Sequence, residues 1–252
     1  MEKYKSITYT IDEINDIELV MCNLSTLSYP LHNHISVFTI SMILDGTITF
    51  TINNQSLLYE ASRGKENKIF VIPPYVPHSI QAISRYTMVS LCINKKMVSM
   101  LNDPKLRTCV INLLSNRVHL DIEKQNQIMK CLDKLALYEN NVFEPKTMLI
   151  DHLKEQLEVF PDQKLSVQDM AQIAYTSKYQ FIRNFTKEIG LTPHQFQIQN
   201  RIRKAKRLIR KNENLTEVAM DTGFCDQSHF IKQFKKNVGL TPLRYKMCCH
   251  IT

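Results

Sequence analysis

The chain has 252 residues, of which 44% are hydrophobic, and its formal net charge is +8. This length suits one large or two ordinary domains, each able to bury a core. Seven cysteines without paired spacing exclude a disulfide framework. The sequence shows neither a signal-peptide pattern nor an apolar run near ~20 residues, so we expect a cytoplasmic protein without a membrane partner.

Residues 1 to about 92 are predicted to form β-strands. The predicted strands are 37–44, 47–52, 68–72 and 86–93. They are rich in β-branched residues or alternate between apolar and polar positions. Asp45-Gly46 is typical of a hairpin turn between the first two. Several short strands separated by turn residues indicate a small β-barrel or sandwich.

Residues 95–160 change to helical spacing. Two apolar stripes are formed, one by Leu106, Val110, Leu113 and Leu114, the other by Ile128, Cys131, Leu132 and Leu135. Such stripes indicate amphipathic helices. They would either pack on the strands as core or form a dimer interface, and the sequence leaves both alternatives open. A further helix is predicted over 148–160.

The C-terminal part of the chain contains a repeat. Segment 181–193 returns 49 residues later as 230–242, with eight identical residues at the same spacing. Each copy is predicted to hold a short helix, a tight turn and a longer helix, which together make a helix-turn-helix. The predicted helices are 167–174 and 177–189 in the first copy, and 215–222 and 226–238 in the second. A helix over 193–211 joins the copies.

Each long helix has an apolar face built from residues four positions apart. These residues are Phe181, Phe185 and Ile189 in the first copy, and Phe230, Phe234 and Val238 in the second. Gly190 and Gly239 follow, where a left-handed residue commonly ends a helix. Ser166 and Asn214, each with an acidic residue three positions later, have the spacing of helix caps. The sequence therefore predicts helix boundaries as well as buried faces.

Positive charge is concentrated in this repeat. Residues 161–252 contain 16 Lys and Arg against 7 Asp and Glu, whereas the rest of the chain contains 16 and 17. The joining helix carries Arg201, Arg203, Lys204, Lys206, Arg207, Arg210 and Lys211. The N-terminal halves of the long helices carry Lys178, Tyr179, Gln180 and Arg183, and Gln227, Ser228, His229 and Lys232. Such side chains can reach base edges in a major groove. An ordinary solvated face is the alternative, and two motifs in tandem favour nucleic acid.

Residues 147–247 resemble the DNA-binding domain of the AraC/XylS family of bacterial transcription regulators. The resemblance rests on the run Gly-Phe-Cys-Asp-Gln-Ser-His-Phe at 223–230, with the Phe-Lys-Lys at 234–236 and the Gly-Leu-Thr-Pro at 239–242. It implies a seven-helix unit whose two recognition helices enter adjacent major grooves of double-stranded DNA. It also implies that the eight residues named above, in the N-terminal halves of the long helices, contact that DNA.

The chain departs from the family pattern at two positions. Tyr175 stands where the family usually has the turn glycine, so a strained or differently bent first turn is expected. Cys225 replaces a common serine, which is a better helix cap, so Asp226 is expected to cap the second recognition helix instead.

The order of residues in the N-terminal half looks like the cupin-type effector domain that precedes many AraC-family DNA-binding domains. The similarity rests on His32-x-His34, on the two strands around Asp45-Gly46 and on the Pro-rich segment that ends at His78. In metal-binding cupins a carboxylate a few residues after the His pair completes the ligand set, and three imidazoles suit Zn or Fe. Segment 35–44 contains no Asp or Glu. We therefore expect the three histidines to line an effector pocket, and expect no metal or cofactor.

Together these patterns predict an α+β chain with three parts. They are a cupin-like β-barrel effector domain (1–93), a helical dimerisation or linker region (94–144), and an all-α domain with two helix-turn-helix motifs (145–252). The resemblance implies a sequence-specific DNA-binding transcription regulator rather than an enzyme, most commonly an activator that responds to a small molecule. Its implied partners are promoter DNA, RNA polymerase, the effector and a second copy of the chain. The alternatives are a cupin-type metalloenzyme with an appended helical domain, and a regulator without an effector.

Overall fold

The computed structural model describes residues 7–53, 55–61, 68–138, 148–211 and 213–251. The chain divides into two compact units. The N-terminal unit comprises Met1–Phe143 with Cys248–Thr252, and the C-terminal unit comprises Glu144–Met247. The predicted α+β class is confirmed, because the described strands all belong to the first unit and the second is helical. The predicted domain boundary at 144/145 lies outside the described residues.

The N-terminal unit is built on a sheet with nine strands in the described part of the chain. They are β1 (Ile7–Asp12), β2 (Ile17–Ser25), β3 (Tyr29–His32), β4 (Val37–Ile52), β5 (Gln55–Ala61), β6 (Lys68–Ile72), β7 (His78–Ala82), β8 (Tyr86–Asn94) and β9 (Cys249–Ile251). The order is β3-β7-β4-β8-β2-β1-β9, and β5 and β6 also pair with β4. The long strand β4 links two halves of this sheet. Its first half pairs with β6 and β8, and its second half with β5 and β7.

The predicted hairpin turn at Asp45-Gly46 is wrong, because β4 runs through both residues without reversing. Gly46 has a left-handed φ of 83°, and the pairing of β4 with β8 shifts register between Ile43 and Asp45. The shift leaves one extra residue in β4, Leu44, and such a β-bulge bends a strand. The bulge lies where β4 passes from one half of the sheet to the other.

Helical elements follow the sheet and share its core. They are a 3₁₀ helix (Lys95–Asn102), α1 (Pro104–Ser115) and α2 (Ile122–Tyr138). Both apolar stripes are buried in, or packed against, one cluster that also contains Phe38 of β4 and Leu91 of β8. Val110 and Leu132, for example, are fully buried. The stripes therefore serve intrachain packing, and a dimer through residues 94–144 stays a prediction that needs other faces of these helices.

The described residues of the C-terminal unit form seven helices. They are α3 (Met148–Val159), α4 (Val167–Ile173), α5 (Lys178–Ile189), α6 (Pro193–Arg210), α7 (Leu215–Asp221), α8 (Gln227–Val238) and α9 (Pro242–Cys248). The helices predicted from the repeat all begin and end within one residue of these bounds. Throughout the described residues of both units, every helix is too short or too polar to cross a membrane.

Side-chain caps explain where the short helices begin. The Ser166 hydroxyl accepts from the backbone N–H of Asp169 at 3.1 Å, and the Asp169 carboxylate accepts from the backbone N–H of Ser166 at 2.8 Å. This reciprocal capping box was predicted. Asn214 also caps its helix, but it accepts from the N–H of Thr216 at 2.9 Å. The second copy thus uses a simple cap, and its acidic residue Glu217 takes no part in that bond.

Left-handed residues end the helices as the sequence predicts. Gly190 and Gly239 have φ of 78° and 83°. In the turn between α7 and α8, Gly223 has φ of 76°, and the equivalent turn of the first copy places Tyr175 at 50°. The first turn therefore keeps the glycine backbone conformation with a tyrosine in it. A non-glycine residue in this region costs roughly 1–2 kcal/mol.

Replacing Tyr175 with glycine is expected to raise the free energy of unfolding by about 0.5–1 kcal/mol, because the relief of left-handed strain exceeds the entropy that glycine adds to the unfolded chain. Tyr175 is 92% exposed, so little packing is lost. Chemical denaturation of the full chain measures the change. Ala174→Gly is the control, since Ala174 has a right-handed φ of −79° and glycine there should destabilise. If the Tyr175→Gly variant is less stable than the wild type, the left-handed conformation of Tyr175 does not strain the folded chain as predicted.

Candidate nucleic-acid interface

The first candidate surface is the N-terminal half of α5. The Ser177 hydroxyl begins this helix by accepting from the backbone N–H of Gln180 at 3.3 Å. The four predicted contact residues are Lys178, Tyr179, Gln180 and Arg183, and all are exposed. The Gln180 amide also donates to Asn184 Oδ1 at 2.8 Å, which orients it along the helix. The structure therefore brings the four into one polar patch.

The opposite face of α5 is the core of the first motif. Phe181, Phe185 and Ile189 are at most 6% exposed. The ring of Phe185 lies 5.6 Å from that of Phe181 and 5.6 Å from that of Phe196 on α6. The predicted separation of a buried aromatic face from a polar face is confirmed, and it fixes the side of α5 that solvent or a partner can reach.

The second candidate surface is the corresponding part of α8. The Asp226 carboxylate caps this helix by accepting from the backbone N–H of His229 at 2.7 Å, as predicted. Gln227, Ser228 and Lys232 are exposed. His229 is half-buried, and its ring packs edge-on against Phe224 with 5.5 Å between centroids. Three of the four predicted residues thus point outward, while His229 lies at the edge of the core.

Much of the basic character of α6 is used inside the domain. The contacts are Arg201 Nε to the Pro161 carbonyl (3.0 Å), Arg201 Nη2 to the Gln163 carbonyl (3.3 Å), Arg203 Nη2 to the Glu158 carbonyl (2.9 Å) and Lys204 Nζ to the Asp162 carboxylate (2.8 Å). These donors hold the turn between α3 and α4. Of the basic residues on and just after this helix, Arg207 and Lys211 are exposed. The sequence count of positive charge therefore overstates what a polyanion can contact.

Sequence reasoning missed one residue of the first surface. Tyr175, treated only as a point of strain, is 92% exposed in the turn just before α5, and Tyr179 in the first turn of α5 is 86% exposed. An exposed tyrosine offers both an apolar ring and a hydroxyl to a partner, so Tyr175 is added to the first candidate surface. The sequence signal that could have pointed to Tyr175 is the presence of a tyrosine at a turn position that glycine normally occupies.

The three candidate histidines of the N-terminal unit form one cluster. His32 at the end of β3 pairs in register with His78 at the start of β7. Ring centroids are 4.2 Å apart for His32 and His78, 5.3 Å for His32 and His34, and 4.8 Å for His34 and His78. One ring nitrogen from each residue lies within 4.8 Å of the others. The structure thus brings together all three residues that the sequence singled out.

Hydrogen bonds at Nδ1 orient all three rings. The distances are 2.7 Å from His32 Nδ1 to the Pro30 carbonyl, 3.0 Å from His78 Nδ1 to the Val76 carbonyl, and 2.6 Å between His34 Nδ1 and Thr39 Oγ1. Burial lowers the pKa of His32, and burial together with the charge of His32 lowers the pKa of His78 to about 3. His78 is therefore a neutral imidazole at pH 7.

Comparison with known proteins agrees with the architecture of the C-terminal unit. A family model described as a helix-turn-helix domain matches residues 170–247. A 75-residue stretch is 40% identical to the uncharacterized HTH-type transcriptional regulator YbfI of Bacillus subtilis, over 30% of this chain and 27% of that protein. A 104-residue stretch is 34% identical to the probable transcriptional regulator LumQ of Photobacterium leiognathi, over 40% of this chain and 41% of that protein. The alignments span less than half the length of either relative.

The fold of the whole chain is similar to that of ToxT from Vibrio cholerae. The apo crystal structure of that protein has a TM-score of 0.60 at 13% identity, and the match covers 94% of this chain and 99% of ToxT. ToxT with a bound unsaturated fatty acid gives a TM-score of 0.57 at 15% identity, over 92% of this chain and 94% of ToxT. The family match and the seven-helix architecture lead to one conclusion: residues 170–247 are an AraC-type helix-turn-helix domain.

Proposed function

We propose that this chain is a sequence-specific DNA-binding transcription regulator. The observation that carries the proposal is the tandem pair of capped helices, α5 and α8, each with a polar, largely exposed N-terminal half on the side opposite a buried aromatic face. Helices of this kind enter a major groove with their N-terminal residues against the base edges. The two surfaces are the parts of the AraC-type domain best suited to double-stranded DNA.

The chemistry of the exposed side chains suggests how the work is divided. Arg183 and Gln227 are the candidate base readers, because a guanidinium pairs bidentately with guanine and an amide with adenine. Lys178 and Lys232 are single point charges suited to phosphate. Tyr175 adds a hydroxyl donor beside the first surface, where it would contact the backbone of the same groove.

Two recognition helices on one face of DNA read sites one helical turn apart, about 34 Å or ~10 base pairs. Each protomer would therefore recognise two short boxes at that spacing. Bending of the DNA would contribute to the match if the helices are more closely spaced than the grooves.

Binding selections with the full-length chain test this function. Arg183→Ala is expected to relax base preference in one box and Gln227→Ala in the other, each by about 1–3 kcal/mol at a single position. The two relaxed positions should lie ~10 base pairs apart. Starting sequences come from a genome-wide map of sites bound by the wild-type chain.

Lys187→Ala is the matched control for lost charge, because Lys187 is exposed near the C-terminal end of α5. It should leave base preference unchanged at both boxes. If both test variants relax the same box, or neither changes any preference, the two-groove interpretation is wrong. A wild-type chain that selects no DNA sequence would rule out the regulator itself.

The N-terminal unit is proposed to sense a small molecule at the site marked by His32, His34 and His78. Its fold similarity to ToxT, which has been solved with a bound unsaturated fatty acid, supports a small-molecule effector of some kind. Activation of transcription through RNA polymerase, in a homodimer formed by residues 94–144, completes the proposal. The enzyme alternative has less support, since the described titratable residues around the histidines include no acidic group close enough to join the cluster.

A further inference from the structure

We propose that His32, His34 and His78 bind one divalent transition-metal ion, with Zn²⁺ as the best match. This proposal goes beyond the regulator function and does not depend on it. It also departs from the expectation drawn from sequence, which disfavoured a metal because segment 35–44 lacks a carboxylate. The structure adds three observations that the sequence could not supply.

The first observation is the placement of the three rings. His32 and His78 face each other on adjacent strands, and His34 reaches the same point from the segment after β3. One nitrogen from each lies within 4.8 Å of the others. Nitrogen ligands of tetrahedral zinc are about 3.4 Å apart for bonds of ~2.0–2.1 Å. Small side-chain rotations would close this difference, because the rings already share one locus.

The second observation is the bonding of the opposite ring nitrogen. Carbonyl oxygens only accept hydrogen bonds, so Nδ1 of His32, against Pro30, and Nδ1 of His78, against Val76, must each carry the proton. In both rings the lone pair then resides on Nε2. Metal-bound histidines are commonly held in this way by an oxygen at the other nitrogen, which fixes both the tautomer and the ring direction.

The third observation is an unsatisfied polar atom. His78 is 1% exposed, and its Nε2 is buried without a hydrogen-bond partner in the described residues. A buried acceptor left in this state costs about 1–3 kcal/mol. A metal ion at the locus shared with the other two rings would satisfy it.

The ligand chemistry selects the metal and what else binds it. Three imidazoles suit zinc, copper, iron or nickel, and they suit magnesium and calcium poorly. Three protein ligands leave the fourth tetrahedral position of zinc open. Because the three rings are neutral, the ion keeps its full double charge, so an anionic oxygen donor is the expected fourth ligand. A carboxylate- or phosphate-bearing effector has that chemistry.

The test uses the full-length chain, stripped with a chelator and titrated with Zn²⁺ and, separately, with Co²⁺. We expect one tightly held ion per chain by elemental analysis after gel filtration, and a visible Co²⁺ spectrum of the tetrahedral type. His32→Ala should abolish stoichiometric binding. Thr39→Val keeps all three rings and nearly the same shape while removing the hydroxyl 2.6 Å from His34 Nδ1, and it should weaken binding by about 10–100-fold.

His119→Ala is the control, because His119 is exposed on a different segment of the same unit and lies outside the cluster. It should bind metal as the wild type does. Circular dichroism of the metal-free proteins shows whether each variant is folded. His250 in β9 follows Cys248 and Cys249 in the sequence and is the alternative ligand group. Binding that survives His32→Ala and disappears in His250→Ala would place the ion at β9 and overturn the proposal. Absence of stoichiometric binding by the folded wild type would also overturn it, and DNA selection by that same protein would leave the regulator function standing.

Discussion

Replacing Phe230 with alanine is expected to destabilise the C-terminal unit by about 3–5 kcal/mol, which is enough to unfold a marginally stable domain. Phe230 is fully buried. Its ring lies 5.3 Å from that of Phe224 and 5.6 Å from that of Phe234, and Phe234 in turn packs edge-on against Tyr245 at 5.5 Å. Truncation would leave a cavity among these aromatic rings, and the surrounding helices cannot easily move to fill it.

Equilibrium denaturation of the full chain, followed by far-ultraviolet circular dichroism, measures the loss. Lys232→Ala is the matched control, because it lies two positions away on the exposed side of α8 and should change stability by no more than about 0.5 kcal/mol. The same control should weaken DNA binding while the fold persists. If Phe230→Ala stays as stable as the wild type and Lys232→Ala unfolds, the assignment of buried and contact faces is inverted.

Replacing Gly46 with alanine is expected to destabilise the N-terminal unit by about 2–5 kcal/mol, as the sum of left-handed strain and overpacking. Gly46 has φ of 83°, and a Cβ there would lie 2.1 Å from the carbonyl oxygen of Arg85 and 2.7 Å from Cα of Tyr86. Both atoms belong to the backbone, so no side-chain rotation can relieve the contact. Strand β8 or the bulge in β4 would have to move.

Hydrogen exchange followed by mass spectrometry localises this effect, since amides of β4 and β8 should lose protection in Gly46→Ala. Asp45→Ala is the control, because Asp45 is the exposed neighbour in the same strand and tests loss of a side chain without a new contact. Equal protection of β4 in Gly46→Ala and the wild type would show that the bulge tolerates a side chain. The close approach to Arg85 would then have no energetic consequence.

Sequence alone located the helical unit closely because its signals are local. The spacing of Phe181 and Phe185, the cap at Ser166 and the stop at Gly190 each involve residues within one helical turn. Local hydrogen bonds and one-sided burial decide helix bounds in such a case. The polar N-terminal halves of α5 and α8 were predicted in the same way, with His229 as the one residue of the predicted set that lies partly in the core. The three histidines, in contrast, were predicted from the resemblance to cupin-type domains.

Other features were decided by residues far away in the chain. Asp45-Gly46 predicts a left-handed residue correctly, yet a hairpin turn and a bulge meet that requirement equally well. The choice depends on β6 and β8 pairing with one half of β4, and on β5 and β7 pairing with the other. Whether an apolar stripe such as that of α1 serves a dimer or a core likewise depends on the presence of a sheet to receive it.

The basic residues of α6 show most clearly what the sequence alone could not decide. The sequence determined that this helix is rich in positive charge, but its partners are the carbonyls of Pro161 and Gln163, some 40 residues before Arg201 in the chain. Backbone carbonyls leave no mark in a sequence, because every residue has one. Charge and periodicity therefore predicted a nucleic-acid-binding domain. Only the tertiary structure decided which charges remain on its surface, because that depends on which backbone carbonyls the folded chain brings near them.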